Sequence, residues 1–273
     1  LFLFMSIAAG AQINRFFYEY KFIADSNNKE DIKKELMLLD IDQKGSNYYS
    51  RDKFVADSTS MAEVQKQIKG GGGNINISRR DNQGQVGYKV TKSYPDFKTY
   101  LFTRISMDQY KVKEDQKPEW KILPEKQKIG EYNAQKATTT YGGRDWIACF
   151  STDIPFQDGP YKFYGLPGLI VKVEDDKGDY SFDLMKNYKI AELPALNQFG
   201  NTLKVKRADY LKQQQKFKTD PMSFMTQGGG GQGLRRSVGQ RACRQVELLI
   251  LGNESFAGNW QPTPVQRNAK FKL

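Results

Sequence analysis

The sequence predicts a mainly β protein with one or two helices, built as a curved antiparallel sheet or half-barrel, with a β-sandwich as the alternative. Three observations carry this. Aromatic residues are abundant, 15 Tyr and 17 Phe among 273 residues, and such side chains suit a half-buried pleat. Apolar and polar residues alternate over short runs, the period of a strand with one buried face. Breaks rich in Gly, Asn and Asp separate these runs at turn spacing.

Residues 15–22 open the pattern, with Phe16, Tyr18, Tyr20 and Phe22 on one side as a buried face. Residues 35–41 and 47–54 follow as a hairpin across Gln43-Lys44-Gly45-Ser46. A helix then interrupts: Ser60 with Glu63 makes a capping box, Met61, Val64 and Ile68 form one stripe, and the glycines from Gly70 end it. The four glycines 70–73 are not a phosphate loop, because no Gly-Lys-Ser/Thr follows and the run ends a helix instead of starting one. Strands are expected at 74–78, 87–91, 99–105 and 119–123. Residues 132–140 and 144–151, joined at Gly142-Gly143, make the clearest hairpin. Another spans 169–175 and 180–184 over Asp176-Lys177-Gly178. A second helix covers 208–218, and Pro221 with the glycines after it ends regular structure.

Between those two hairpins lies the most informative segment, Asp153-Ile154-Pro155-Phe156-Gln157-Asp158-Gly159-Pro160-Tyr161-Lys162-Phe163-Tyr164-Gly165-Leu166-Pro167-Gly168-Leu169-Ile170-Val171. Asp158-Gly159-Pro160 and Leu166-Pro167-Gly168-Leu169 read as tight reversals around an aromatic run. The second has the Pro-Gly pair of a type II turn, which needs φ > 0 at Gly168. Asp158, Gly159, Pro160, Gly165, Leu166, Pro167, Gly168, Leu169 and Ile170 give the segment a resemblance to the signature of the GLPGLI family of Bacteroidota envelope proteins. The resemblance is strong over 146–184 and looser back to the start of the mature chain. It implies export to the periplasm or outer membrane, and the family has no established activity. The order of three strands, a helix and a long meander resembles the lipoprotein-carrier fold, with its lipid-binding hollow.

Three parts are expected along the chain. Residues 1–11, apolar and ending in small residues with Ala9 and Ala11 placed as in an A-x-A site, read as a partial secretory signal peptide cleaved before Gln12. Residues 12–227 form a single β-rich domain, and 228–273 form a Gly-rich junction with a basic tail. The net charge is +11, and the tail holds five Arg and two Lys against Glu247 and Glu254. Such a tail could touch an anionic membrane surface. Disorder, or a reading-frame slip near Gly228, are the competing readings. Export argues against nucleic acid as a partner. Of the two cysteines, Cys149 and Cys243, neither has metal or redox spacing, and their pairing is left open.

The chain has no His, which removes Ser-His-Asp and Cys-His nucleophile systems, His-containing zinc sites and the usual neutral-pH base. Asp153 with Asp158, and Glu174-Asp175-Asp176, are the carboxylate groupings that remain, the latter read as a solvated hairpin end. Cys149 reads as a core thiol. No enzyme activity, cofactor or metal is expected. Two functions remain. In one, Trp146, Phe150, Phe156, Tyr161, Phe163 and Tyr164 line an interior or lip that holds a hydrophobic ligand or peptide, which requires an apolar cavity beneath the signature. In the other, the same aromatics fill the core and the exposed loop 165–168 docks an envelope protein.

Overall fold

A computed structural model of the chain describes residues 12–25, 28–70, 84–196 and 202–222. From the first of these, β1 (Ile13–Ile23), β2 (Ile32–Ile41) and β3 (Gly45–Ser50) run as a meander. The helix α1 (Arg51–Lys69) leaves the sheet, and β4 (Lys89–Ser93), β5 (Lys98–Ile105) and β6 (Asp108–Lys113) continue it. The chain then crosses to the far edge. There β7 (Lys121–Ile129) begins a second meander through β8 (Tyr132–Tyr141), β9 (Arg144–Ser151), β10 (Leu169–Asp175) and β11 (Tyr180–Ile190), and β11 pairs with β1. Last come β12 (Thr202–Lys206), parallel to β6, and the helix α2 (Arg207–Thr219). The result is one open sheet in the order β12-β6-β5-β4-β3-β2-β1-β11-β10-β9-β8-β7, antiparallel except at β12.

The connectivity forces this sheet to curve. Ten strand spacings separate β6 from β7, about 48 Å in a flat sheet. Residues 114–120 join them, and so short a segment reaches at most about 28 Å. The sheet must curl to bring these strands within reach, consistent with the curved sheet or half-barrel expected from the order of elements. The β7 edge is guarded by Lys121, Lys126 and Lys128, with Pro124 and an irregular register between Ile122 and Lys126. These features discourage pairing with another chain.

The inner face holds the main core. Phe16, Tyr18, Tyr20 and Phe22 of β1 are all buried there, as their alternation required, together with Met37, Leu39, Val90, Leu101, Val112 and Phe182. Helix α2 lies on this face through Tyr210, whose ring meets Tyr110 at 5.6 Å. On the outer face Phe17, Leu38 and Tyr49 form a smaller cluster covered by Phe54 of α1 and by Leu196.

Several expectations need correction. Helix α1 begins at Arg51, so residues 51–54 are helical and the strand before them stops at Ser50. The cap is Ser50, whose Oγ accepts the Lys53 N–H at 3.0 Å and donates to Glu35 Oε1, while Ser60 and Glu63 lie inside the helix. A partner on β2 thus fixes the cap, information that no local motif contains. The expected stripe is not a buried face either: Ile68 is 60% exposed, and Ala56 is the buried residue of α1. The helix does end at Gly70, whose N–H bonds Lys66 O at 3.0 Å. Strand β6 was not expected, and β7 runs to Ile129 instead of stopping at 123. The expected strand at 74–78, the segment 1–11, the tail 228–273 and Cys243 lie outside the described residues.

Candidate functional site

The signature forms the connection between β9 and β10, folded back beneath the sheet and paired with itself. Asp158 and Tyr164 form an isolated antiparallel bridge, Gly165 N–H bonds Gln157 O at 2.9 Å, and Ile170 N–H bonds Asp158 O at 3.0 Å. The reversal falls within the aromatic run, where Phe163 N–H bonds Pro160 O at 3.1 Å. Tyr161 takes a left-handed φ of 53° there, a conformation costly for a bulky side chain.

The type II turn at Pro167-Gly168 is not formed. Gly168 lies outside the left-handed region, and its N–H bonds Leu166 O at 2.8 Å across Pro167, the spacing of a γ-turn. The left-handed glycine is Gly165, with φ 94°. Gly168 is required for another reason: a Cβ there would sit 2.2 Å from Ser151 O and 2.9 Å from Thr152 N, both backbone atoms of the end of β9.

A buried lysine organises the loop. Lys92 of β4 has a fully buried side chain, and its Nζ lies 2.5 Å from Asp158 Oδ1. It also donates to the carbonyls of Gly159 at 2.7 Å, Tyr161 at 3.1 Å and Phe163 at 3.3 Å. Asp158 further accepts its own neighbour's amide, Gly159 N–H, at 2.6 Å, and the Tyr94 hydroxyl. Burial lowers the Lys92 ammonium, and Asp158 opposes that shift. The charges and carbonyls are thus mutually satisfied, which a dry site demands. Trp120 Nε1 donates to Tyr164 O at 2.8 Å, Lys162 pairs with buried Glu114, and Tyr18 Oη donates to Ile170 O at 2.7 Å. Residues 114–120, which span the two edges, therefore also clamp the signature.

The six aromatics singled out in the sequence are brought together around this loop. Trp146, Phe150, Tyr161, Phe163 and Tyr164 are buried, and Phe156 is half-buried against Phe16 at 5.9 Å. Phe163 is enclosed by Trp146 at 4.8 Å, Tyr141 at 5.8 Å, Trp120 at 6.0 Å and Phe182 at 6.3 Å. Of the signature, Gly165 and Pro167 are exposed, as are Asp153, Pro155 and Gln157 just before it. Asp158, Gly159, Pro160, Leu166, Gly168, Leu169 and Ile170 are buried.

The carboxylates do not converge as a catalytic group. Asp153 is exposed, whereas Asp158 is bound to Lys92. Asp175, expected in a solvated hairpin end, is instead buried: it accepts Arg144 Nη1 at 2.5 Å and the Tyr180 N–H at 2.8 Å. Among the described residues no cluster of three or more His, Cys, Asp or Glu could hold a metal, and no helix is long and apolar enough to cross a membrane. Cys149 is buried, burial pushes its thiol up, and Gln127 Nε2 donates to it at 2.9 Å. Sequence reasoning missed Lys92, Glu114 and Arg144. The signal for Lys92 was its phase, since Tyr88, Val90 and Lys92 alternate toward the same face.

No protein-family model and no curated protein matches the chain. Among solved structures, PNGF-II in its P21 space group is similar at 16% identity and a TM-score of 0.50, covering 74% of this chain and 33% of that one. PNGF-II in its C2 space group is similar at 16% identity and a TM-score of 0.48, covering 74% and 32%. The likeness is one of fold, and the chain spans about a third of the length of those chains.

Proposed function

We propose that the chain is an exported, non-catalytic docking module of the cell envelope, of the GLPGLI type, which presents the rim around Gly165 and Pro167 to a protein partner. The observation behind this reading is the closed interior: Phe163 is ringed by five aromatic side chains, Tyr161 included, and the loop carrying it is locked by Lys92. A carrier of acyl chains would need open apolar space there. A filled interior leaves Thr152, Asp153, Pro155, Gln157, Gly165 and Pro167 as the exposed positions of this segment that a partner can reach, and loops held by rigid strands often carry binding groups. That the same fold occupies about a third of a longer chain also suits a module.

Native mass spectrometry of residues 12 onward, purified from a Gram-negative periplasm without detergent, tests the reading. A bare, homogeneous mass is expected, and a retained lipid or peptide would overturn it in favour of a hydrophobic-ligand carrier. Photo-crosslinkers at Gln157 and Pro167 should then form a discrete protein adduct that a crosslinker at exposed Met107 does not form.

A further inference from the structure

The outer face carries a second constellation, independent of the signature. A cross-strand row runs from Tyr49 on β3 through Lys89 on β4 and Phe102 on β5 to Lys111 on β6 and Lys204 on β12. Arg104, two residues beyond Phe102, projects from the same side of β5. The row borders a cleft of about 140 Å³ beneath α1, lined by Phe54, Lys89, Phe102, Arg104 and Leu196 among others. Its cations lack acids. The nearby Asp57 is held by Lys53 at 3.1 Å, and Asp40, which accepts the Tyr49 hydroxyl, is held by Arg15 at 2.7 Å. Among the described residues Lys89, Arg104 and Lys111 make no ion pair. Lys89 and Lys111 rest on aromatic faces instead, Lys89 Nζ 4.6 Å from the Phe102 centroid and Lys111 Nζ 5.3 Å from it and 4.3 Å from that of Tyr100.

Like charges set side by side across strands cost stability. Edge protection explains lysines on a border strand, but β4 is an interior strand, three places in from the edge. Lys89 is half-buried there, and burial and Lys111 both lower its ammonium. A counter-charge from outside the chain would relieve both effects. The cleft is close in size to a cavity that holds one benzene, too small for an acyl chain. We propose that it binds a phosphate- or carboxylate-bearing molecule with a single six-membered ring, the anion between Lys89 and Arg104 and the ring against Phe54 and Phe102.

Isothermal titration of the intact protein with phenyl phosphate and with benzoate tests this, with inorganic phosphate and phenol as half-ligands. The site predicts saturable binding of at least one ring anion and binding at least tenfold weaker for either half-ligand. Lys89→Met should weaken the ring anion about tenfold or more, the scale of one lost charge-assisted hydrogen bond. Arg104→Gln, at an exposed position, gives the same readout should the first variant fail to fold. Absence of saturable heat with both ring anions overturns the proposal. So does binding that inorganic phosphate matches or that neither variant weakens, since that is non-specific attraction to a basic protein. Co-sedimentation with phosphatidylinositol vesicles, whose headgroup joins a phosphate to a six-membered ring, separates the sources: retention that Lys89→Met abolishes assigns the site to a lipid headgroup, and no retention beside saturable ring-anion binding assigns it to a free molecule.

Discussion

Strand β4 carries two lysines three residues apart, and the sheet sends them to opposite faces. Lys92 points inward, where one carboxylate and three backbone carbonyls surround its ammonium. Lys89 points outward, where its neighbours are a phenylalanine ring and another lysine. The same residue type in one strand thus serves two ends. Inside, the charge is consumed in fixing a loop whose partners all come from the chain. Outside, the charge is left over, and the partner must come from elsewhere. Burial by itself does not distinguish a structural charge from a binding charge; the completeness of its partners does.

The sharpest way to break this contrast is Lys92→Met. It would leave Asp158 buried without its cation and three carbonyls without a donor, a loss on the order of 3–5 kcal/mol. For a folded region of this size that is roughly 10 °C in melting temperature by differential scanning calorimetry. A drop of only a degree or two would mean that the signature loop is held by its aromatic packing and not by the lysine.

The glycines of the signature offer the next test. Gly168→Ala must push a Cβ into the backbone of Ser151 and Thr152, for which about 2–4 kcal/mol is expected. Gly165→Ala meets no atom within 4 Å and bears the cost of a left-handed alanine, about 1 kcal/mol. Urea denaturation of the two variants should rank them in that order. The reverse ranking would restore the turn at Pro167-Gly168 that the residues suggest and the structure lacks.

That turn marks where the sequence was legible and where it was not. Period-two alternation in 15–22 read a strand and its buried face correctly, because a strand's inward side is a local property, and turn-bounded runs placed the strands at 144–151 and 169–175. The aromatic set from Trp146 to Tyr164 was picked out as one group by its place in and beside the signature. What local pattern could not supply was the identity of partners distant in sequence. Ser50 caps α1 because Glu35 accepts its hydroxyl, Gly168 is needed because β9 ends against it, and Asp158 is buried because Lys92 arrives from another strand. The outer cleft was invisible for the same cause: Lys89, Phe102 and Lys111 are each ordinary alternating residues until the register sets them in a row.

Glu35 is another inward-facing charge and lies between the two extremes. Its Oε2 accepts the Gln85 N–H at 2.5 Å and the Val86 N–H at 3.2 Å, and no cation pairs with it among the described residues. Burial raises its carboxyl above the usual range, with Ser50 and the two amides opposing. The folded state therefore binds the proton more tightly than the unfolded chain, so the contribution to stability is fullest below the ordinary carboxylate value and fades as pH rises through the raised one. Glu35→Gln should match the parent near pH 4 and gain on it toward pH 7. Parallel urea midpoints across that range check this, and a gap that widens in the parent's favour would mean that the amides hold the charged form after all.

The smallest expected effect is the most telling for the comparison. Lys89→Met keeps the aliphatic stem over Phe102 and removes an ammonium that is partly desolvated and repelled by Lys111. The lost cation–π contact is worth about 0.5–1 kcal/mol, and relief from burial and repulsion offsets it, so stability should move by less than about 1 kcal/mol in either direction. Lys89 would then be a charge the fold does not use, which is the condition for reading it as a binding group. A melting temperature as low as that of Lys92→Met would instead make Lys89 part of the architecture. The two faces of β4 would then be alike, and the difference between inner lock and outer site would collapse.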